Sequence, residues 1–188
     1  MGRGIKNKNI LDEFCLKFCN IVNKNCKYII VSGFVAISHG RVRATEDIDM
    51  IIEKININKF KKLHEDLTKN NFICIQSDDL KEIYSYLIGD LSVRYTYFDR
   101  PLPEMEIKFA KDELDEYQLK TRVKFEKTEL DVWFSSIEMN IAFKEEYLKS
   151  DKDIEDAKHL REVFRNELNE DEINNIKKMI RRTKLGQK

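Results

Sequence analysis

One stretch of the chain, residues 28–53, restricts the possible folds more than any other. It begins with four β-forming residues (28–31), breaks at Ser32-Gly33, and continues as a segment of helix length to residue 40. A polar link then leads to the sequence D-I-D at 47–49, and an apolar run follows directly. The pattern predicts a strand, a tight turn, a short helix and a second strand that begins with two carboxylates.

The two carboxylates of the D-I-D sequence favour a metal site. Successive side chains of a strand alternate faces, so Asp47 and Asp49 share one face, with Cα atoms roughly 6.5–7 Å apart. Two such charges repel each other, and Mg²⁺, which prefers oxygen ligands, relieves that repulsion. The pattern alone leaves a second interpretation open, in which Asp47 lies at a strand end and Asp49 is merely solvated.

Together, these residues resemble the signature of the DNA-polymerase-β-like nucleotidyltransferase superfamily. Its members have a Gly-Gly or Gly-Ser turn after the first strand and a D-x-D sequence at the start of the next. Ser32-Gly33 and Asp47/Asp49 occupy those places here. Ser32 replaces the first glycine, which makes that position less suited to close approach of a phosphate.

The polar link before the D-I-D sequence contributes further candidates. Arg41 and Arg43 precede the acidic strand, and a guanidinium group binds two phosphate oxygens at once. An equally open alternative is that they neutralise nearby acids. Thr45 has a hydroxyl that could orient the strand start. The resemblance implies nucleotide-binding roles for Ser32, Gly33, Arg41, Arg43 and Thr45.

A third carboxylate is expected on a neighbouring strand. Residues 105–109 alternate, with Glu106 on the face opposite to their apolar side chains. Asp131 is the rival candidate for the third carboxylate. In the alternative interpretation of Glu106, it is an ordinary residue on the solvent-exposed face of its strand. The position of the third acid in the superfamily favours Glu106, because residues 105–109 follow the Pro101–Pro103 loop and precede a further strand pair. That pair is predicted as a hairpin of 121–126 and 128–134.

The C-terminal part carries a lysine and two aspartates at helical spacing. Asp153 and Asp156 are three residues apart and fall on one helix face. With Lys144, they resemble the motif of the abortive-infection (type IV toxin) nucleotidyltransferases, which implies that Lys144 contacts triphosphate and that Asp153 or Asp156 positions it. A surface ion pair is the ordinary alternative.

The predicted fold class is α/β (α+β): a mixed sheet with flanking helices, and a C-terminal helical part. We expect a nucleotidyltransferase core over 1–134 and helices over 135–188, the latter beginning with a cap at Ser135 or Ser136. The four cysteines lack paired C-x-x-C spacing and are predicted to be buried free thiols.

The resemblance implies a magnesium-dependent enzyme that transfers a nucleoside monophosphate from an NTP. Two Mg²⁺ ions would be held by Asp47, Asp49 and Glu106. The acceptor stays open among RNA (tRNA included), protein and a small molecule. The alternatives are a catalytically silent, antitoxin-like partner-binding module and an RNA-binding domain.

Charge and hydropathy restrict the classes of partner that the chain is expected to bind. Acidic and basic residues number 34 each, which argues against a broad surface for duplex nucleic acid. A basic C-terminal segment ending at Lys188 keeps a local RNA contact open, although cations also stabilise a helix C-terminus. No apolar run of 18 residues and no signal peptide is found, so a cytoplasmic protein without membrane contact is expected.

Overall fold

The structure, a computed structural model, describes residues 9–185. Five strands are formed by this part of the chain: β1 (Tyr28–Val31), β2 (Asp47–Ile52), β3 (Phe72–Cys74), β4 (Val93–Tyr97) and β5 (Arg100–Phe109). The α-helices of the same residues are α1 (Ile10–Val22), α2 (Gly33–Ser38), α3 (Ile57–Lys69), α4 (Leu80–Ile88), α5 (Glu113–Lys120), α6 (Ile137–Phe143), α7 (Asp151–Val163) and α8 (Glu170–Ile180). π-Helical turns extend α6 over Lys144–Leu148 and α8 over Arg181–Leu185.

The strands form one mixed sheet in the order β1-β2-β5-β4-β3. The β2–β5 pair is parallel and the other pairs are antiparallel. This order places β5, which is far from β2 in sequence, directly beside it. The predicted α/β class with a mixed sheet and flanking helices is confirmed.

The two faces of the sheet are covered differently. On one face, β2 and β5 contribute alternate apolar side chains, such as Ile48 and Ile107, to the main core formed with α1, α3 and α4. On the other face, α5 covers a smaller apolar cluster that includes Ile51 and Leu119. Burying one face this way commits the opposite residues of β2 and β5, the acidic ones among them, to the second face.

Three segments differ from the sequence expectation. The predicted hairpin over 121–134 forms only one antiparallel bridge, Val123 to Phe134, because a 3₁₀ turn at Glu126–Thr128 interrupts it. Phe134 also bridges to the edge of β1. β5 begins inside the expected proline loop, and α5 had no counterpart in the sequence interpretation.

Other expectations are met. The four cysteines are buried and free, as predicted. Ser136 caps α6 by accepting a hydrogen bond from the Met139 amide at 3.2 Å. Among residues 9–185, every helix falls short of the length and apolar character that crossing a membrane requires. The division at residues 134/135 stays a prediction, and the outer ends of both parts lie outside the described residues.

Candidate active site

Three carboxylates converge on the second face of the sheet. Val31 pairs with Asp49 across β1 and β2, and Asp49 pairs with Glu106 across the parallel β2–β5 pair. One carboxylate oxygen from each of Asp47, Asp49 and Glu106 lies within 4.8 Å of the other two. The hydroxyl of Thr45 donates to the Asp47 carboxylate at 3.0 Å, so the start of β2 is held in place. Such a set of oxygen donors suits a hard divalent cation.

The Asp49 carboxylate lies in an unfavourable electrostatic environment. Burial raises the pKa of its carboxyl, and the charges of Asp47 and Glu106 raise it further. A hydrogen bond from the Ser32 side chain acts in the opposite direction, and Lys108 contributes the smallest lowering effect. A partly desolvated carboxylate beside two like charges is an environment that a bound cation would relieve.

Arg94 is a member of the site that the sequence interpretation missed. It lies opposite Glu106 across the antiparallel β4–β5 pair, and its Nε and Nη2 donate to Glu106 Oε2 at 3.0 and 2.8 Å. Its Nε is also 3.5 Å from Glu104. An arginine at an alternating strand position carries no distinctive local signal, so only the strand register identifies it.

The Ser32-Gly33 turn is shaped for close contact. Ser32 has φ 65° and ψ −136°, a backbone conformation that glycine adopts more readily. A Cβ added at Gly33 would lie 1.6 Å from Nη2 of Arg43, so the Arg43 guanidinium lies directly against the glycine. The turn therefore brings a cation beside the backbone at the end of β1.

A buried ionic network connects this turn to the C-terminal helices. Asp156 is fully buried, and its carboxylate lies 3.5 Å from Arg41 Nε and 3.7 Å from Arg43 Nε. Lys144, only 1% exposed, donates to Asp156 at 3.0 Å and to Asp153 at 3.2 Å. An ion pair buried this deeply differs from the surface pair considered as the alternative.

A cleft of about 270 Å³ opens beside the carboxylates, between the second face of the sheet and the C-terminal helices. Asp49 and Glu106 lie on its sheet side, Ser32 lies at its β1 end, and Lys144 faces it from the helical side. Four of the candidate residues, which are spread from Ser32 to Lys144 in the sequence, thus border one open space.

Other predicted residues form ion pairs outside the carboxylate cluster. Asp131 is 79% exposed at its side chain and forms an ion pair with Lys124, away from the carboxylate cluster. Arg41 directs its Nη2 to Glu155 on α7. In the basic C-terminal segment, Lys177, Arg181 and Lys184 pair with acidic side chains. Lys188 lies outside the described residues.

The fold resembles that of solved structures of one antibiotic-resistance factor. The solution structure of the antibiotic-resistance factor ANT(2'')-Ia matches it with a TM-score of 0.59 and 13% identity over 94% of both chains. A crystal structure of ANT(2'')-Ia in complex with adenylyl-2''-tobramycin gives a TM-score of 0.49 and 15% identity, covering 92% of this chain and 95% of that chain. No model of a protein family and no curated protein matches the sequence.

Proposed function

We propose that this protein is a metal-dependent nucleotidyltransferase, which transfers a nucleoside monophosphate from an NTP to a hydroxyl group of an acceptor. The observation that carries the proposal is the convergence of Asp47, Asp49 and Glu106 within 4.8 Å beside an open cleft. The fold shared with ANT(2'')-Ia, an aminoglycoside nucleotidyltransferase, supports the same reaction class.

The carboxylates fit a divalent metal on the chemistry of their donors. Asp47, Asp49 and Glu106 offer only hard oxygen ligands, and the raised pKa of Asp49 shows the conflict that a cation would remove. When bound, Mg²⁺ would neutralise phosphate charge and lower the pKa of the acceptor hydroxyl. Arg94 already holds one oxygen of Glu106 and so keeps that carboxylate directed along the sheet.

The cationic residues are assigned to the phosphates of the NTP. Arg43 lies against Gly33, where a phosphate can approach the backbone and the guanidinium together. Lys144 uses two of its three N–H donors on Asp153 and Asp156, and the third is left for a phosphate oxygen in the cleft. Asp153 and Asp156 act as positioning residues for Lys144, and Asp156 also holds Arg41.

The reaction consists of one substitution at phosphorus. The acceptor oxygen bonds to the α-phosphorus, the bond from that phosphorus to the β-phosphate oxygen breaks, and pyrophosphate leaves. The acceptor loses its proton in the process. Positioning and charge neutralisation account for most of the catalysis of phosphoryl transfer, and the cluster and its cations provide both.

The test is calorimetry with each NTP in the presence and absence of Mg²⁺, followed by incubation with labelled NTP and total cellular RNA or protein. We expect magnesium-dependent binding and transfer of label to one fraction, both lost in Asp49→Asn. Asp131→Asn is the matched control, because Asp131 lies outside the cluster. Absence of NTP binding by the wild type would refute the proposal and favour the silent partner-binding module.

A further inference from the structure

The end of the cleft beyond the carboxylates is lined by lysines. Lys108 follows Glu106 by two positions on the same face of β5, and Lys111 comes just after the end of that strand. Lys184, from the π-helical turn after α8, reaches the same cleft from the opposite side. None of these residues belongs to the sequence motifs.

Lys108 and Lys111 differ from the other cations of the cleft in their lack of counterions. Lys144 is paired with two buried or half-buried aspartates, and Lys184 is paired with Asp112. Within residues 9–185, no carboxylate oxygen lies within 4.0 Å of the ammonium group of Lys108 or Lys111. Lys108 is also half-buried at the wall of the cleft.

The neighbouring carboxylates do not account for Lys108. Glu106 already has Arg94 as its cation, at 2.8 Å. Asp49 is affected by Lys108 less than by burial, by Ser32, or by the two acids beside it. Lys108 therefore forms a close ion pair with neither acid, and its ammonium group remains available to a molecule in the cleft.

We propose that Lys108 and Lys111, assisted by Lys184, form a phosphate-binding subsite at this end of the cleft. Ammonium groups bind phosphate as point charges, without the fixed geometry of a guanidinium group. The subsite rests on the proposed function, because the phosphate belongs either to the NTP or to an acceptor that itself carries phosphate.

Calorimetry in Mg²⁺ with three probes tests the subsite: pyrophosphate, the α,β-methylene analogue of ATP, and a single-stranded oligonucleotide with a free 3′-hydroxyl. We expect Lys108→Gln and Lys111→Gln each to weaken binding of at least one probe by about tenfold, the loss of one charge-assisted contact. Weaker binding of pyrophosphate and the ATP analogue assigns the subsite to the nucleotide. Weaker binding of the oligonucleotide alone assigns it to the acceptor.

The control is Lys62→Gln, because Lys62 is exposed on α3, which packs on the other face of the sheet. The subsite is overturned if both lysine variants bind all three probes as the wild type does, or if their losses are no larger than in the control. It is also overturned if the wild type binds none of the probes. Asp49→Asn separates this proposal from the metal assignment. If Asp49→Asn binds the ATP analogue normally while Lys108→Gln does not, the metal assignment fails and the subsite stands.

Discussion

Replacing Asp49 with asparagine should stabilise the metal-free protein while removing its response to magnesium. Asparagine has nearly the same shape and can still accept the hydrogen bond from Ser32, but it has no charge. At the 4.8 Å limit of the cluster, each like-charge neighbour costs about 3.5 kcal/mol at an effective dielectric constant of about 20, and about 0.9 kcal/mol in bulk water.

The expected gain is about 1–3 kcal/mol, because Arg94 offsets part of the Glu106 charge and solvent screens the rest. For a chain of 188 residues, this corresponds to an increase in Tm of roughly 3–8 °C. The gain should depend on pH. The folded-state pKa of Asp49 is raised, so the charged Asp49 destabilises the folded wild type. This destabilisation is absent below the pKa of an unfolded aspartate and develops as pH rises through the folded-state pKa.

The assay is thermal and urea unfolding of wild type and Asp49→Asn, with EDTA and with Mg²⁺, at neutral and acidic pH. Magnesium at tenfold its Kd should stabilise the wild type by about 1.4 kcal/mol and leave the variant unchanged. Asp131→Asn should behave as wild type. An Asp49→Asn variant that is less stable than wild type in EDTA, or that gains equally from Mg²⁺, would refute the electrostatic reasoning.

Three further substitutions examine the surroundings of the cluster. Asp156→Asn removes a buried carboxylate on which three cationic side chains converge and should cost about 3 kcal/mol in urea unfolding; a cost below 1 kcal/mol would contradict its burial. Gly33→Ala should displace Arg43 and weaken NTP binding in calorimetry. The free energy of unfolding should change by less than about 1 kcal/mol. Unchanged NTP binding would contradict the role of Arg43. Ser32→Gly should raise the pKa of Asp49 in an NMR titration, because the hydrogen bond is lost, and an unchanged pKa would contradict that contact. The free energy of unfolding of Ser32→Gly should rise by no more than about 1.5 kcal/mol, since relief of backbone strain (about 1–2 kcal/mol) is opposed by the added freedom of the unfolded chain (about 0.5–1 kcal/mol).

The sequence was most informative where function depends on neighbouring residues. Alternation within a strand places Asp47 and Asp49 on one face whatever the strand packs against, and spacing on a helix does the same for Asp153 and Asp156. The residue types at Ser32-Gly33 likewise predict a turn without any information from the rest of the chain. These features require only the periodicity of the backbone, which a sequence displays directly.

The tertiary structure decided which distant residues complete the site. Glu106 reaches Asp49 only because β5 pairs in parallel with β2, and Arg94 reaches Glu106 only through the register of β4 on β5. Lys108 lies in the cleft for the same reason. Strand order and register depend on how whole apolar faces pack together, and a local pattern of residues does not contain that information.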